Sequence, residues 1–561
     1  MKVYEAIAQA LLAEHDGPIF GLMGDGNMSL WGALGREPRA TIISARNEAG
    51  AVAMADGYFR ATGRLGIATV TCGPGLTQVG TSLMAAVRNR TAMVLVIGEI
   101  PPGDKNQLQS MDQRRFVEAC STRFYTITKP DNVGAEIAEA FYTARMQRCP
   151  VVLNLPMDIQ ERSFDSEFAY RPSTAFLPKG NEVASEEALR PIVDALIRAE
   201  RPIIIAGRGA RNATTKAAIV ELADRVGALL ATSLQAKGLF AGHDFDIGIA
   251  GGYASAPGEQ LLANADFVLG VGAELGYYTT DGGLLFPAAE VARIDIAPAP
   301  AEIGILPGFY ARGDAFKTVK AISTMLSARK VQKEGYRTDA MREVRNSIPE
   351  SVEKATDGLD PRLLLQRLGA GLPRNALLTC GAGHFLGFAA MHLPMPEDAD
   401  IQFSLQFGAV GQTLPLAFGI GTAHPGRPHI VIEGDGSLMM NLQELDTVVR
   451  YKQQMVLIIW NDNAFGAEVH KLRAKGFEPS LAAWKTSLDF IALAKAFGGD
   501  GISLKNENDI GDAIAEGLAH GGLFVIDARV SPSSVSDAYQ KTHFGQPNRA
   551  PLLRTPGREM I

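Results

Sequence analysis

The sequence predicts an α/β protein built from three domains, each a doubly wound parallel sheet. Short apolar segments alternate with helical stretches along the chain, and glycine-rich turns join them. Alternation of this kind is typical of parallel sheets that carry helices on both faces. Two segments of different composition interrupt the pattern and divide it into three blocks. The 59 glycines among 561 residues fit many tight turns and close backbone approaches.

The composition is that of an ordinary globular protein, with 46% hydrophobic and 20% charged residues. The net charge of −7 gives no reason to expect nucleic acid or an anionic membrane as a partner. Four cysteines without a C-x-x-C motif argue against a disulfide framework or a zinc cluster. The amino-terminal segment lacks the basic region and cleavage site of a signal peptide, and no apolar stretch of about 18 residues follows. We therefore expect a cytoplasmic protein.

The first predicted domain covers residues 1–165. Its opening segment, MKVYEAIAQALLAEHDGPIFG, predicts an amphipathic helix. The segment TIIS and the helical stretch from Ala49 to Arg60 come next, and GIATVTCGPG, AMVLVIGE and CPVVLNLP are typical of buried strands. Residues 166–188 hold two prolines and no clear period, which indicates a linker.

The second predicted domain covers residues 189–327, with the strand segments RPIIIAGRGA, ADFVLGVGAEL and EVARIDIAP. The charge-rich residues 328–356 predict a solvated helix or a connection. The third domain covers residues 358–540 and includes NALLTCGAG, HIVIEGDGS, MVLIIWND and LFVIDAR as strands. The first and third domains share size and pattern, so we hypothesise that they are distant copies. The end of the chain, 539–561, is predicted to be irregular.

The segment with the most chemical information joins two predicted strands of the third domain. The first strand ends in Gly434-Asp435-Gly436, and the second ends in a turn at Asp462, 27 residues after Asp435. Both turns fall at the carboxyl ends of parallel strands, where open α/β sheets bind ligands. Glycine N–H groups and a helix N-terminus favour a phosphate. Two carboxylates together with phosphate oxygens suit Mg²⁺.

This motif resembles the diphosphate-binding motif of the thiamine diphosphate-dependent enzymes, in the group of acetolactate synthase, pyruvate oxidase and 2-oxo acid decarboxylase. The resemblance covers nearly the whole chain, in the order pyrimidine-binding, middle and diphosphate-binding domain. It implies thiamine diphosphate and Mg²⁺ as cofactors, with Asp435, Asp462 and the backbone carbonyl of Ala464 as metal ligands. The family usually has Asn at position 462. The extra negative charge of Asp462 predicts a stronger dependence on the metal.

The resemblance implies further cofactor contacts in the third domain. Val410 matches the apolar residue that wedges the cofactor into a V shape, and Gly411-Gln412-Thr413 follows it where relatives often have Gly-Tyr-Gly. His384 either touches the cofactor or is a structural histidine. The full set of implied cofactor-binding residues in this domain is Gly383, His384, Phe385, Gly408, Val410, Gly434, Asp435, Gly436, Ser437, Asp462, Ala464, Phe465 and Gly466.

Glu48, in the segment ARNEAG, follows a strand and begins a helix. In the family, a glutamate at this place contacts N1′ of the aminopyrimidine, where a carboxyl group is needed for proton exchange. A plain carboxylate at a helix N-terminus is the alternative, but the neighbouring RNEAGAVAMADGYFRATG also resembles the family. Gly24, Thr71 and Pro74 are implied to border the same end of the cofactor. Because the family grips the two ends of one cofactor with different subunits, the resemblance implies a homodimer or homotetramer with active sites at the subunit interface.

Three residues are predicted to face the substrate. Asp25 and Glu468 match carboxyl groups of decarboxylases of the pyruvate decarboxylase type, where such a pair could relay protons. The histidine pair that those enzymes also use is not visible in GEIPPGDKNQLQSMDQ, so a turn aspartate and a solvated helix glutamate remain alternatives. Gln109 resembles the glutamine near the active site of the synthases.

A flavin is not expected. The turn Gly207-Arg208-Gly209-Ala210 in the middle domain lacks the third glycine of a dinucleotide fingerprint. The loops GGYAS and GAELGYYTTDGG stand where FAD-binding relatives have loops that contain arginine. A simple NAD-binding protein would need a complete G-x-G-x-x-G, and a non-catalytic paralogue would lack Glu48 or the GDG turn.

The predicted function is therefore non-oxidative. A 2-oxo acid such as pyruvate is decarboxylated, and the acyl carbanion is transferred to a carbonyl acceptor, as in acetolactate synthase. A 2-oxo acid decarboxylase that releases an aldehyde, and a lyase acting on an acyloin or a diketone, remain open. The predicted partners are small 2-oxo acids and carbonyl compounds.

Overall fold

The computed structural model describes residues 1–101, 107–164, 168–178, 183–297, 307–339, 341–342 and 353–545. The described residues form three six-stranded sheets. Every pair of neighbouring strands in these sheets is parallel. This confirms the predicted fold class. The linker 166–188, the charge-rich residues 328–356 and the end 539–561 lie partly outside the described residues, and the domain boundaries stay predictions.

The first sheet has the strand order β2-β1-β3-β4-β6-β5. Its strands are β1 Ile19–Gly21, β2 Ile42–Ser44, β3 Gly66–Val70, β4 Met93–Glu99, β5 Arg123–Thr126 and β6 Pro150–Pro156. The α-helices around it are Val3–Glu14, Met28–Leu34, Glu48–Thr62, Pro74–Gln78, Gly80–Arg88, Gln113–Ala119, Val133–Gln147 and Met157–Gln160. The expectation of one helix through Gly21 is wrong. The helix ends at Glu14 because Gly17 and Pro18 follow, and Ile19–Gly21 forms a central strand instead.

The second sheet has the order β12-β11-β10-β7-β8-β9. Its strands are β7 Pro202–Ala206, β8 Leu229–Thr232, β9 Asp246–Ile249, β10 Phe267–Val271, β11 Glu290–Asp295 and β12 Phe309–Arg312. The α-helices around it, among the described residues, are Glu186–Arg198, Ala213–Val226, Ala256–Ala263 and Ala315–Ala328.

The third sheet has the order β14-β13-β15-β16-β18-β17, which repeats the order of the first sheet. Its strands are β13 Leu377–Gly381, β14 Asp400–Ser404, β15 His429–Gly434, β16 Met455–Asn461, β17 Asp500–Ser503 and β18 Leu523–Arg529. The α-helices are Pro361–Gly371, Phe385–His392, Thr413–Ala423, Asp435–Leu438, Glu444–Arg450, Gly466–Ala474, Phe490–Ala496, Ile510–His520 and Asp537–Tyr539. The shared strand order supports the hypothesis that the two domains are distant copies.

The first and third domains share one apolar core. Met54 and Phe418 lie in the same buried cluster, which also includes β15 and β16 residues such as Val431 and Leu457. The helices Glu48–Thr62 and Thr413–Ala423 approach so closely that a Cβ on Gly57 would collide with the carbonyl oxygen of Leu416. Glycine is therefore required at this crossing, and Glu48 is held on an element that is fixed to the third domain.

Among the described residues, no helix is both long enough and apolar enough to cross a membrane.

Candidate active site

The two carboxylates of the predicted metal site come together at the ends of adjacent strands. β15 and β16 pair in parallel, with Gly434 opposite Trp460. Asp435 is buried and Asp462 is partly buried, and both carboxyl groups lie beside the backbone of Ala464. Asp435 and Asp462, which are distant in the sequence, therefore lie next to each other at one edge of the sheet.

Burial and mutual repulsion dominate the electrostatics of this pair. Burial raises the pKa of Asp435 to about 6. Burial and then the charge of Asp435 raise the pKa of Asp462 to about 7. Two acids that repel each other in a buried site fit a hard divalent cation, which would relieve the repulsion. Among the described residues, no group of three or more His, Cys, Asp or Glu side chains is arranged for a metal, and Mg²⁺ typically takes few protein ligands beside phosphate and water.

The glycines around the pair leave space for a ligand and for aromatic rings. A Cβ on Gly436 would lie 2.7 Å from Phe465 Cε1 and 2.9 Å from Trp484 Cζ2. A Cβ on Gly434 would lie 3.0 Å from Phe385 Cε1, so the ring of Phe385 packs under the turn. A Cβ on Gly466 would collide with the carboxylate of Asp462. These predicted residues therefore form one compact site.

The segment that carries Val410 is tied to the GDG turn. The N–H of Gly411 donates to Ser437 Oγ at 2.9 Å, and the Asn441 amide donates to the Gly411 carbonyl. Gly408 has a positive φ of 65°. Val410 is 37% exposed, so it is not an ordinary core valine on the single chain.

His384 lies in a buried aromatic cluster. Its ring centroid is 4.5 Å from that of His470 and 5.2 Å from that of Tyr539. Its Nε2 accepts a hydrogen bond from the Ser536 N–H at 3.2 Å. Burial lowers the pKa of His384 to about 3, so the ring is neutral at physiological pH. These contacts favour the structural role for His384, which lies beside Gly383 and Phe385, and its contact with the cofactor stays a prediction.

The residues predicted to hold the pyrimidine end gather at the carboxyl ends of β1, β2 and β3. A Cβ on Gly24 would lie 2.7 Å from Thr71 Cβ. A Cβ on Gly75, next to Pro74, would lie 2.7 Å from Thr71 Cγ2 and 3.4 Å from Glu48 Oε1. The structure therefore brings these predicted residues together around the Glu48 carboxylate.

Gln109 borders this group. The Cys72 thiol donates to Gln109 Oε1 at 3.1 Å, and burial raises the pKa of that thiol, so it stays protonated. A Cβ on Gly73 would collide with the Gln109 carbonyl. Cys72 thus acts as a packing and hydrogen-bonding group.

Asp25 and Glu468 are both exposed on the single chain and lie in different domains. Glu468 Oε1 is 3.6 Å from Lys471 Nζ. Their roles stay predictions.

Two residues beside the site were not identified from the sequence. Glu444 Oε1 accepts from the N–H groups of Arg46 at 3.1 Å and Asn47 at 3.0 Å, directly before Glu48. The Trp484 indole N–H donates to Asp435 Oδ2 at 2.8 Å. Neither lies at a distinctive spacing from its partner; only the buried position of Glu444 on an apolar helix face could have drawn attention to it.

Comparisons with known proteins agree with this arrangement. Three family models match: the N-terminal TPP binding domain of thiamine pyrophosphate enzymes over residues 1–117, the central domain over residues 189–322, and the C-terminal TPP binding domain over residues 381–528. The chain therefore belongs to the thiamine diphosphate-dependent enzyme family, in which it is an enzyme of the acetolactate synthase type.

The similar curated proteins include acetolactate synthases. The large subunit from Haemophilus influenzae is 24% identical, with 94% of each chain aligned. The probable large subunit from Methanocaldococcus jannaschii is 25% identical over 99% of this chain and 97% of its own. The acetolactate synthase of Arthrospira platensis is 27% identical over 91% of each chain.

Proposed function

We propose that this enzyme decarboxylates a 2-oxo acid such as pyruvate and transfers the acyl group to a second carbonyl compound without oxidation. The observation that carries the proposal is that two groups of residues, which we call half-sites, are both present. Glu48 and Thr71 form one half-site, and Asp435 and Asp462 form the other. When bound, thiamine diphosphate supplies the carbon nucleophile and holds the charge left when CO₂ departs.

The side chains of the two half-sites have different proposed roles. Asp435, Asp462 and the Ala464 carbonyl would hold Mg²⁺, and the N–H groups of the GDG turn would hold the diphosphate. Glu48 would exchange a proton with N1′ of the pyrimidine. Val410 would support the bent cofactor, and Gln109 would face the substrate.

We propose that two chains complete each site. Met23, Phe407, Val410, Met439 and Met440 are exposed apolar residues beside the two half-sites. A second copy that covers them would bury this surface and bring Glu48 of one chain to Asp435 of the other.

We propose that the enzyme works without a flavin. Arg208, in the glycine turn of the middle domain, donates to Asn89 of the first domain. A Cβ on Gly207 would collide with the Gly272 carbonyl, so the turns after β7 and β10 pack directly on each other. These contacts occupy the turn that a dinucleotide would use.

The reaction is tested by carbon-13 NMR of labelled pyruvate with the protein, thiamine diphosphate and Mg²⁺. Labelled acetolactate or acetoin is the expected result. Acetaldehyde alone would replace the proposal with a decarboxylase and would favour proton-relay roles for Asp25 and Glu468. Unchanged pyruvate with bound cofactor would mean another donor, such as an acyloin or a diketone.

The role of Glu48 is tested by Glu48→Gln. Turnover should fall by about 10²- to 10⁴-fold, because the amide cannot exchange a proton with the pyrimidine. Thiamine diphosphate should still bind, as measured by calorimetry. The matched control is Glu187→Gln, in the first turn of the helix Glu186–Arg198. Unchanged turnover of the Glu48 variant would contradict the proposal.

A further inference from the structure

Trp484 makes a direct contact with a candidate metal ligand. Its indole N–H donates to Asp435 Oδ2 at 2.8 Å, across 49 residues of sequence. An indole N–H can only donate, so it interacts favourably with the ionised form of this carboxyl group.

Backbone pairing fixes the position of Trp484. The N–H of Phe465 donates to the Ala482 carbonyl at 2.9 Å, and the N–H of Trp484 donates to the Asn463 carbonyl at 2.8 Å. The Asn463 side chain returns a hydrogen bond to the Trp484 carbonyl at 3.1 Å. The segment that carries the indole is therefore attached to the same turn that carries Asp462.

Ring packing fixes the orientation of the indole. Phe465 meets Trp484 edge to face, with ring centroids 4.7 Å apart and an interplanar angle of 78°. Both rings lie against Gly436, where a Cβ would be 2.7 Å from Phe465 and 2.9 Å from Trp484. The indole can therefore move little without disturbing the GDG turn.

We propose that Trp484 is a positioning residue of the metal site, which holds the Asp435 carboxylate in one orientation. The hydrogen bond occupies one oxygen of the Asp435 carboxylate. This role matters in a site with two aspartates, because the mutual repulsion of Asp435 and Asp462 would otherwise turn one carboxylate away. The inference rests on the proposed function, since the metal site belongs to it.

Metal affinity, measured without turnover, tests the role. Mn²⁺ binding in the presence of thiamine diphosphate is followed by electron paramagnetic resonance for the wild type, Trp484→Phe, Trp484→Gln and Trp31→Phe. Trp484→Phe keeps a ring but removes the donor, and its Mn²⁺ Kd should rise about 10- to 100-fold. Trp484→Gln keeps an N–H donor and should stay within a few-fold of the wild type. Trp31→Phe is the control.

The possible outcomes separate this inference from the proposed function. If the wild type binds no Mn²⁺ with thiamine diphosphate, the metal-dependent function is wrong. If the wild type binds Mn²⁺ and Trp484→Phe binds it equally well, only the role of Trp484 is wrong.

A measurement that keeps Trp484 in place guards against misfolding of the variant. Tryptophan fluorescence of a double variant, Trp31→Phe with Trp460→Phe, reports on Trp484 as the one remaining tryptophan. Its emission should change when Mg²⁺ is added with thiamine diphosphate, because the metal alters the charge next to the indole. An emission spectrum that stays constant while Mn²⁺ binding is observed would also overturn the inference.

Discussion

At the residue scale, the site depends on small residues that allow large ones to approach. Gly436 lies between the rings of Phe465 and Trp484, and Gly466 leaves room for the Asp462 carboxylate. Both glycines are therefore required by contact, since neither has a positive φ. An added methyl group at either position would therefore first disturb Asp435 and Asp462.

Gly436→Ala should weaken binding of thiamine diphosphate and Mg²⁺ by about tenfold or more, because the added Cβ displaces the rings that support Asp435. Calorimetric titration measures the change. Gly511→Ala in the same domain is the control, since its Cβ would lie 3.9 Å from Gly371 Cα, an ordinary contact. Equal affinities for the two variants would contradict the interpretation.

At the element scale, the helix Glu48–Thr62 is the main connection between the two halves of the chain. It crosses the helix Thr413–Ala423 at Gly57, and its amino-terminal turn is held by Glu444. Arg46 Nε also donates a hydrogen bond to Asp446 Oδ2 at 2.6 Å. The carboxylate of Glu48 is thus positioned by elements of the diphosphate-binding domain in its own chain.

Gly57→Ala should lower the free energy of unfolding by about 1–3 kcal/mol, because the new Cβ collides with a backbone carbonyl that cannot rotate away. Denaturant unfolding measures the loss. Gly32→Ala, where a Cβ would meet nothing within 4 Å, should be neutral or should stabilise the helix Met28–Leu34 by up to about 1 kcal/mol. Similar stabilities of the two variants would rule out the crossing as the cause.

At the scale of the whole molecule, buried neutral histidines make stability depend on pH. His429 is fully buried in β15, and burial, followed by the charges of His424 and Arg427, lowers its pKa to about 3. Its Nε2 lies 2.9 Å from Thr379 Oγ1. In the unfolded chain the ring takes up a proton below about pH 6.5. The contribution of the neutral His429 ring to the free energy of unfolding is therefore complete above about pH 6.5, and it is lost as the pH falls toward 3.

His429→Gln should make the acid loss of stability shallower, by about 2 kcal/mol between pH 7 and pH 5. Unfolding midpoints at a series of pH values measure the slope. The surface variant His520→Gln, at the end of the helix Ile510–His520, serves as the control. If His429→Gln keeps the wild-type slope, the neutral state of His429 is not the cause.

The sequence alone predicted the three parallel-sheet domains, because most of their longer strands are apolar segments that alternate with helical stretches. It missed shorter strands such as β5, β9 and β17. Arg123–Thr126 and Asp500–Ser503 lack a fully buried pattern, since edge strands need to cover only part of their surface. Ile19–Gly21 was missed because three residues are too few to show the pattern of a strand.

The candidate site, too, was predicted from the sequence only in part. The GDG turn, Asp462 and Glu48 could be identified from local motifs, because strand ends and glycine turns are written in adjacent residues. Tertiary structure alone decided that Trp484 meets Asp435 and that Glu444 holds the turn before Glu48. Those contacts join residues that are distant in the chain and depend on packing and backbone pairing between elements, which no local spacing encodes.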